Sequence, residues 1–230
     1  MTVQHPGTLI HLLKNRQHFL EEIHHNERLN SKIISLLLIS FGGFFVYGGI
    51  IGASNAQMPL QIISSAIKLP ALYLMTLLIC VPTLYIFNAF FGSQRTMKQH
   101  WAYLLTAITV IAVLLCGFAP VSLFFLLAVN NKMFFLLLNV AIFSLTGLLG
   151  VSFLYQMMKP IDSEDESPNV HLRTNILRFW LALYGFVGTQ LGWTMRPFFA
   201  TGKEFSWLRP REEAGSFIFS VWESLRHVLH

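Results

Sequence analysis

The stretch IISLLLISFGGFFVYGGIIG, residues 33–52, runs for 20 residues without a charged side chain. A helix rises 1.5 Å per residue, so about 20 apolar residues cross the roughly 30 Å hydrocarbon core of a bilayer. Residues 71–91, 101–129, 133–157 and 176–195 are long and apolar enough to do the same. The pattern predicts an all-α polytopic integral membrane bundle of about five transmembrane helices. Composition agrees: the 230 residues are 54% hydrophobic and 12% charged, against about 25% charged in soluble domains.

Around this bundle, residues 1–32 form an N-terminal amphipathic segment, 33–196 the transmembrane bundle, and 197–230 a polar and aromatic tail. In residues 7–28, Leu9, Leu12, Leu13, Phe19, Leu20 and Ile23 share one helical sector opposite Lys14, His18, Glu22 and His25. Such a helix lies on the membrane or docks onto the bundle, and Arg16, inside its apolar sector, must snorkel or find a partner. Residues 216–229 predict a second amphipathic helix. The third run is too long for a simple crossing, so Pro120 is expected to kink it or split it. Residues 57–69 read as a short interfacial or re-entrant helix ended by Pro70. Residues 160–169, PIDSEDESPN, read as an acidic loop between prolines.

Residues 1–32 lack the apolar core of a secretory signal, so the first run is expected to act as its own insertion signal. With the N-terminus cytoplasmic, the inner segments carry Lys14, Arg16, Arg28, Lys32, Arg95, Lys98, Lys159, Arg173 and Arg178, and the outer loops only Lys68 and Lys132. The tail departs from the rule: five crossings place it outside, with Arg196, Lys203, Arg209, Arg211 and Arg226. A re-entrant segment at 57–69 or a split third run would change the parity. The expected location is a bacterial inner membrane. The sequence pI near 9.4 reflects cations scattered between apolar runs, which fits topology and anionic headgroups rather than nucleic acid.

Chemistry-bearing residues are few. No Asp or Glu lies in any run, which argues against a proton-coupled pump. Lys68 and Arg178 sit where they are expected to snorkel. Asn88, Asn139 and Gln190 read as polar contacts between helices or, in the alternative, as the lining of a small-solute channel or transporter near Pro82. Gly48-x-x-x-Gly52, Gly49-x-x-x-Ala53, and Ser144, Gly147 and Gly150 mark places for close helix approach. His11, His18 and His25 recur every seventh residue beside Glu22, but on a polar face, so no metal site is expected. Cys80 and Cys116 read as small buried hydrophobes, and no cofactor is implied. There is no H-E-x-x-H or G-x-S-x-G pattern. The pair Glu212-Glu213 lacks the arginine four residues on that membrane CAAX-type proteases require, because Phe217 stands there. No catalytic residue is proposed.

Residues 188–199, GTQLGWTMRPFF, close the fifth run. Trp193 and Arg196 suit the headgroup layer, and Pro197 stops the helix. Gln190, Trp193 and Arg196 read either as a buried polar contact plus an interfacial anchor, or as one face recognising an anionic headgroup or a partner's carboxylate.

That closing segment and residues 68–92, KLPALYLMTLLICVPTLYIFNAFFG, resemble a pattern in small bacterial multi-pass membrane proteins. The five-crossing layout with a polar N-terminal segment is loosely similar to the Yip (Ypt-interacting protein) family. The resemblance implies a non-catalytic role in membrane trafficking or organisation and transfers no site residue. The reading is therefore an assembly, scaffold or membrane-organising factor, with membrane lipids, a protein partner or a second copy of the chain as partners.

Overall fold

A computed structural model describes residues 14, 16–25, 28–54, 59–90, 96–129, 131–164 and 170–195. Six helices are described: α1 (Arg16–His24), α2 (Leu29–Gly52), α3 (Pro59–Phe90), α4 (Met97–Ala128), α5 (Lys132–Glu164) and α6 (Val170–Thr194). Among the described residues there is no strand. The helices α2, α3, α4 and residues Met133–Met157 of α5 are long and apolar enough to cross a membrane. With 25 residues α6 has the length, although Arg178 and Gln190 dilute its apolar character. Four such helices plus α6 are roughly consistent with the expected count of about five.

The surface is what a lipid solvent selects. Phe90 is 82% exposed and Leu127 80%, while Ser40, Ser64, Thr106, Thr109 and Asn139 are wholly buried. In water that distribution would leave a large sticky surface. In a bilayer it hides the polar groups from hydrocarbon. The chain is a multi-pass helical membrane protein.

The centre of the bundle is α2, which packs along both α3 and α4. It runs parallel to α4, since Ser40 meets Thr109 and Gly43 meets Ala112. It runs antiparallel to α3, since Gly52 meets Gln61, Gly48 meets Ser65 and Phe44 stacks on Tyr73 at 4.2 Å. The outer helices are α5, against α4, and α6, against α3. Glycine sets the inner spacings. A Cβ on Gly48 would stand 2.6 Å from the Ser65 carbonyl oxygen, and one on Gly43 would stand 2.7 Å from that of Ala112. Backbone in that position cannot yield cheaply.

This packing explains where the structure departs from the sequence reading. Residues 57–69 do not form a separate interfacial or re-entrant helix ended by Pro70. Residues 59–90 are one helix with Pro70 and Pro82 inside it. Each proline removes one backbone hydrogen bond. The turns before Pro70 are held by burial of Gln61, Ser64, Ser65 and Ala66 beside the α2 glycines. Lys68 therefore lies well inside a helix at 3% exposure and does not snorkel from an end. Pro120 likewise neither splits nor ends α4. That helix starts before the apolar run, at a capping box in which Gln99 N–H donates to Thr96 Oγ1 at 3.4 Å and Thr96 N–H to Gln99 Oε1 at 2.8 Å. Of the expected acidic loop, residues 160–164 are helical, because α5 continues through Pro160 to Glu164; residues 165–169 lie outside the described residues. Of the cysteines, Cys80 is buried as expected, whereas Cys116 is exposed on the lipid-facing side of α4.

Helix α1, the described part of the amphipathic N-terminal segment, docks onto the bundle. Phe19 and Ile23 of α1 are buried, Gln99 Nε2 donates to the Ile23 carbonyl at 3.4 Å, and Lys32 pairs with Glu22 at 2.6 Å. Arg28 turns the corner into α2 with a left-handed φ of 48°. The tail at 197–230 and its expected second amphipathic helix lie outside the described residues, as do Leu9, His11, Leu12 and Leu13.

Candidate functional site

Among the described residues, three sets of polar contacts join the long helices, and each begins with residues that an apolar helix can carry at little cost. Tyr47 points from α2 between α4 and α5. Its hydroxyl donates to Asn139 Oδ1 at 2.8 Å and lies 3.0 Å from Ser122 Oγ. Because the phenol has one hydrogen, committed to Asn139, the serine must supply the other. Asn139 Nδ2 donates back to its own helix at the Phe135 carbonyl, 2.7 Å away. All three side chains are fully buried, and Phe143 closes the site edge-on against the Tyr47 ring at 5.5 Å. Tyr47, Ser122 and Asn139 thus tie three helices through one satisfied chain of hydrogen bonds.

A second rung joins α2 to α4. Ser40 Oγ and Thr109 Oγ1 are 2.8 Å apart, and each also reaches a carbonyl one turn back, Leu36 and Leu105 respectively, at 2.7 Å. The third set clamps α6 to α3. Trp180 Nε1 donates to the Cys80 carbonyl at 2.7 Å, and the Tyr184 hydroxyl donates to the Tyr73 carbonyl at 3.2 Å. Neither acceptor is the Leu78 carbonyl that Pro82 releases.

The residues singled out from sequence are scattered among these contacts. Asn139 belongs to the three-helix junction. Asn88, near the other end of α3, is buried and donates to the Leu84 carbonyl of its own helix at 2.9 Å. Gln190 and Trp193 sit one turn apart on α6, both partly exposed, and Gln190 Nε2 is buried with no hydrogen-bond partner among the described residues. Arg196 lies outside the described residues. The structure does not bring Asn88, Asn139 and Gln190 to one cavity. An apolar cleft of about 60 Å³ does open between α3, α4, α5 and α6, and none of the three lines it.

His18 on α1 and His25 just after it are exposed, with His18 Nδ1 3.2 Å from Glu22. Among the described residues no three His, Cys, Asp or Glu side chains gather as a metal shell would.

Sequence reasoning missed Tyr47, Ser122, Thr109 and Trp180. Hydroxyls hide well in apolar runs because each can satisfy itself on the carbonyl one turn back. The signal that was available is Tyr47 itself, since a phenol at membrane depth needs an acceptor.

Comparison with protein-family models, with curated proteins and with solved structures finds no match to this chain.

Proposed function

We propose that this protein is a non-catalytic membrane-organising or assembly factor, acting through a protein partner or lipid in the manner suggested by its Yip-like layout. The observation that supports this reading is how the polar groups at membrane depth are used. Tyr47 hydrogen-bonds both Ser122 and Asn139, Ser40 Oγ meets Thr109 Oγ1, and Trp180 and Tyr184 bond to α3 carbonyls. A transport path needs polar groups turned toward a water-filled route. A bundle that spends these donors internally is better suited to presenting a fixed surface.

That surface is proposed at the C-terminal end of α6, where Gln190 and Trp193 lead into Arg196. In the orientation that best satisfies the positive-inside rule, the N-terminus is cytoplasmic in a bacterial inner membrane. The test is extraction of full-length protein in mild detergent, identifying bound proteins and lipids, beside a solute-flux assay on the same protein in vesicles. Stoichiometric co-purification of a partner or lipid without flux is the expected result. Selective flux abolished by Asn139→Leu would replace the organising role with a channel. Arg196→Lys separates two roles of this end. An interfacial anchor tolerates lysine, while a bidentate contact to phosphate or carboxylate loses about ten-fold in affinity.

A further inference from the structure

The apolar cleft between α3, α4, α5 and α6 is a gap between two flanking helices. Its floor is Leu77 of α3 with Leu104 and Ile108 of α4, and its sides are Val151 of α5 and Leu181 of α6. The polar atoms nearest to it are already committed, since the Trp180 indole and the Tyr184 hydroxyl donate to α3 carbonyls. Nothing in the walls would hold a polar ligand or a water. Its volume is about 60 Å³. A narrow apolar slot of that size suits a few methylenes of a chain better than a helix about 10 Å across.

One turn from these walls, toward a single end of the bundle, stand three side chains of another kind. Trp101 precedes Leu104 by three residues on α4, Arg178 precedes Leu181 by three on α6, and Tyr155 follows Val151 by four on α5. Because α5 runs antiparallel to α4, the later residue on α5 lies at the same end as the earlier one on α4. Trp and Tyr belong at the headgroup level, and an exposed Arg is the usual fork for phosphate. The side chain of Arg178 also leans toward the N-terminus of its helix, away from the bilayer centre.

We propose that this cleft is a binding site for one anionic phospholipid, with an acyl chain between α5 and α6 and its phosphate on Arg178. The site lies at the opposite end of α6 from Gln190 and Trp193. It is therefore distinct from the surface proposed there, and Arg178→Gln and Arg196→Lys test the two ends separately.

The probe is full-length protein in vesicles of equal phosphatidylcholine and phosphatidylglycerol, extracted into mild detergent, with retained lipid counted by native mass spectrometry. Wild type should keep phosphatidylglycerol in preference to phosphatidylcholine. Arg178→Gln, at an exposed position, should lower retained phosphatidylglycerol about ten-fold, the loss of one charge-assisted contact. Val151→Phe should fill the cleft and release both lipids, while Leu148→Phe, 69% exposed on another part of α5, should release neither. If Val151→Phe lowers the thermal midpoint, Arg178→Gln decides alone. Unchanged phosphatidylglycerol on Arg178→Gln overturns the proposal. So does a Val151→Phe variant that keeps its lipid but sheds a co-purifying protein, because the cleft would then be a protein-docking site.

Discussion

The two long contacts that α3 makes are built on different physics. Against α2 it is held by the absence of side chains: Gly48 and Gly52 let the backbones touch, and an added Cβ would stand 2.6 and 2.7 Å from backbone oxygens of α3. Against α6 it is held by large side chains. Trp180 and Tyr184 reach across to α3 carbonyls, and a Cβ on Gly188 would meet only the Thr76 side chain, no nearer than 3.6 Å. In lipid there is no hydrophobic force between helices, so association relies on van der Waals contact and hydrogen bonds. The first contact maximises one and the second the other. The difference predicts that α2–α3 is intolerant of volume and α3–α6 intolerant of lost donors.

The largest effect should come from Gly48→Val. Its side chain would overlap the Ser65 carbonyl and the Ala66 Cα, and backbone overlap cannot be relieved by a rotamer. Overpacking of this kind costs about 1–3 kcal/mol. Thermal unfolding in detergent should show a clear drop in midpoint or loss of folded protein. A variant as stable as wild type would mean that α2 and α3 do not approach so closely.

Next is the three-helix junction. Asn139→Leu removes the acceptor of the Tyr47 proton, and Tyr47→Phe removes the proton itself. Interhelical hydrogen bonds in membranes are worth about 0.6 kcal/mol on average and about 1.7 at most. Each single change should cost about 1 kcal/mol. The double variant should cost less than their sum, since both break the same bond. Strict additivity in a double-mutant cycle would deny the contact.

On the α6 side, Trp180→Phe keeps an aromatic ring and deletes the indole N–H. The Cys80 carbonyl loses that donor, and about 1 kcal/mol should follow. Hydrogen exchange of α6 amides should rise while that of α2 does not, which a global loss of stability would not produce.

How much of this was legible in the sequence depends on the residue. The fold class was, because residues 33–52 have one physical reading, and Gly48-x-x-x-Gly52 correctly marks the close face toward α3. The course of residues 57–69 was not. Gln61, Ser64, Ser65 and Lys68 look like a segment that prefers water, and Pro70 looks like a stop. Only the packing against α2 shows that the polar stripe is the buried one. Tertiary burial overrides local polarity there. The candidate site was legible only in pieces: Asn139 stood out as an amide in an apolar run, whereas Tyr47 and Ser122 acquire their meaning from neighbours 92 and 75 positions away from Tyr47.

The smallest effect sharpens the comparison most, because it is a predicted absence of damage in a glycine of a packed helix. Gly188 faces α3 as Gly48 does. Yet its would-be Cβ has ordinary van der Waals distances of 3.6 and 3.8 Å to Thr76. Alanine there fills space without displacing backbone, and it favours a helix over glycine by up to about 1 kcal/mol. Gly188→Ala should therefore leave the thermal midpoint unchanged or raise it slightly. Gly48→Ala, which must push against the Ser65 carbonyl, should lower it. The pair shares one substitution, one neighbouring helix and nearly one chemistry, so intrinsic propensity cancels and the remainder reports helix spacing alone. If both alanines cost the same, α6 would sit as close to α3 as α2 does. The aromatic clamp of Trp180 and Tyr184 would then be incidental to the contact rather than its cause.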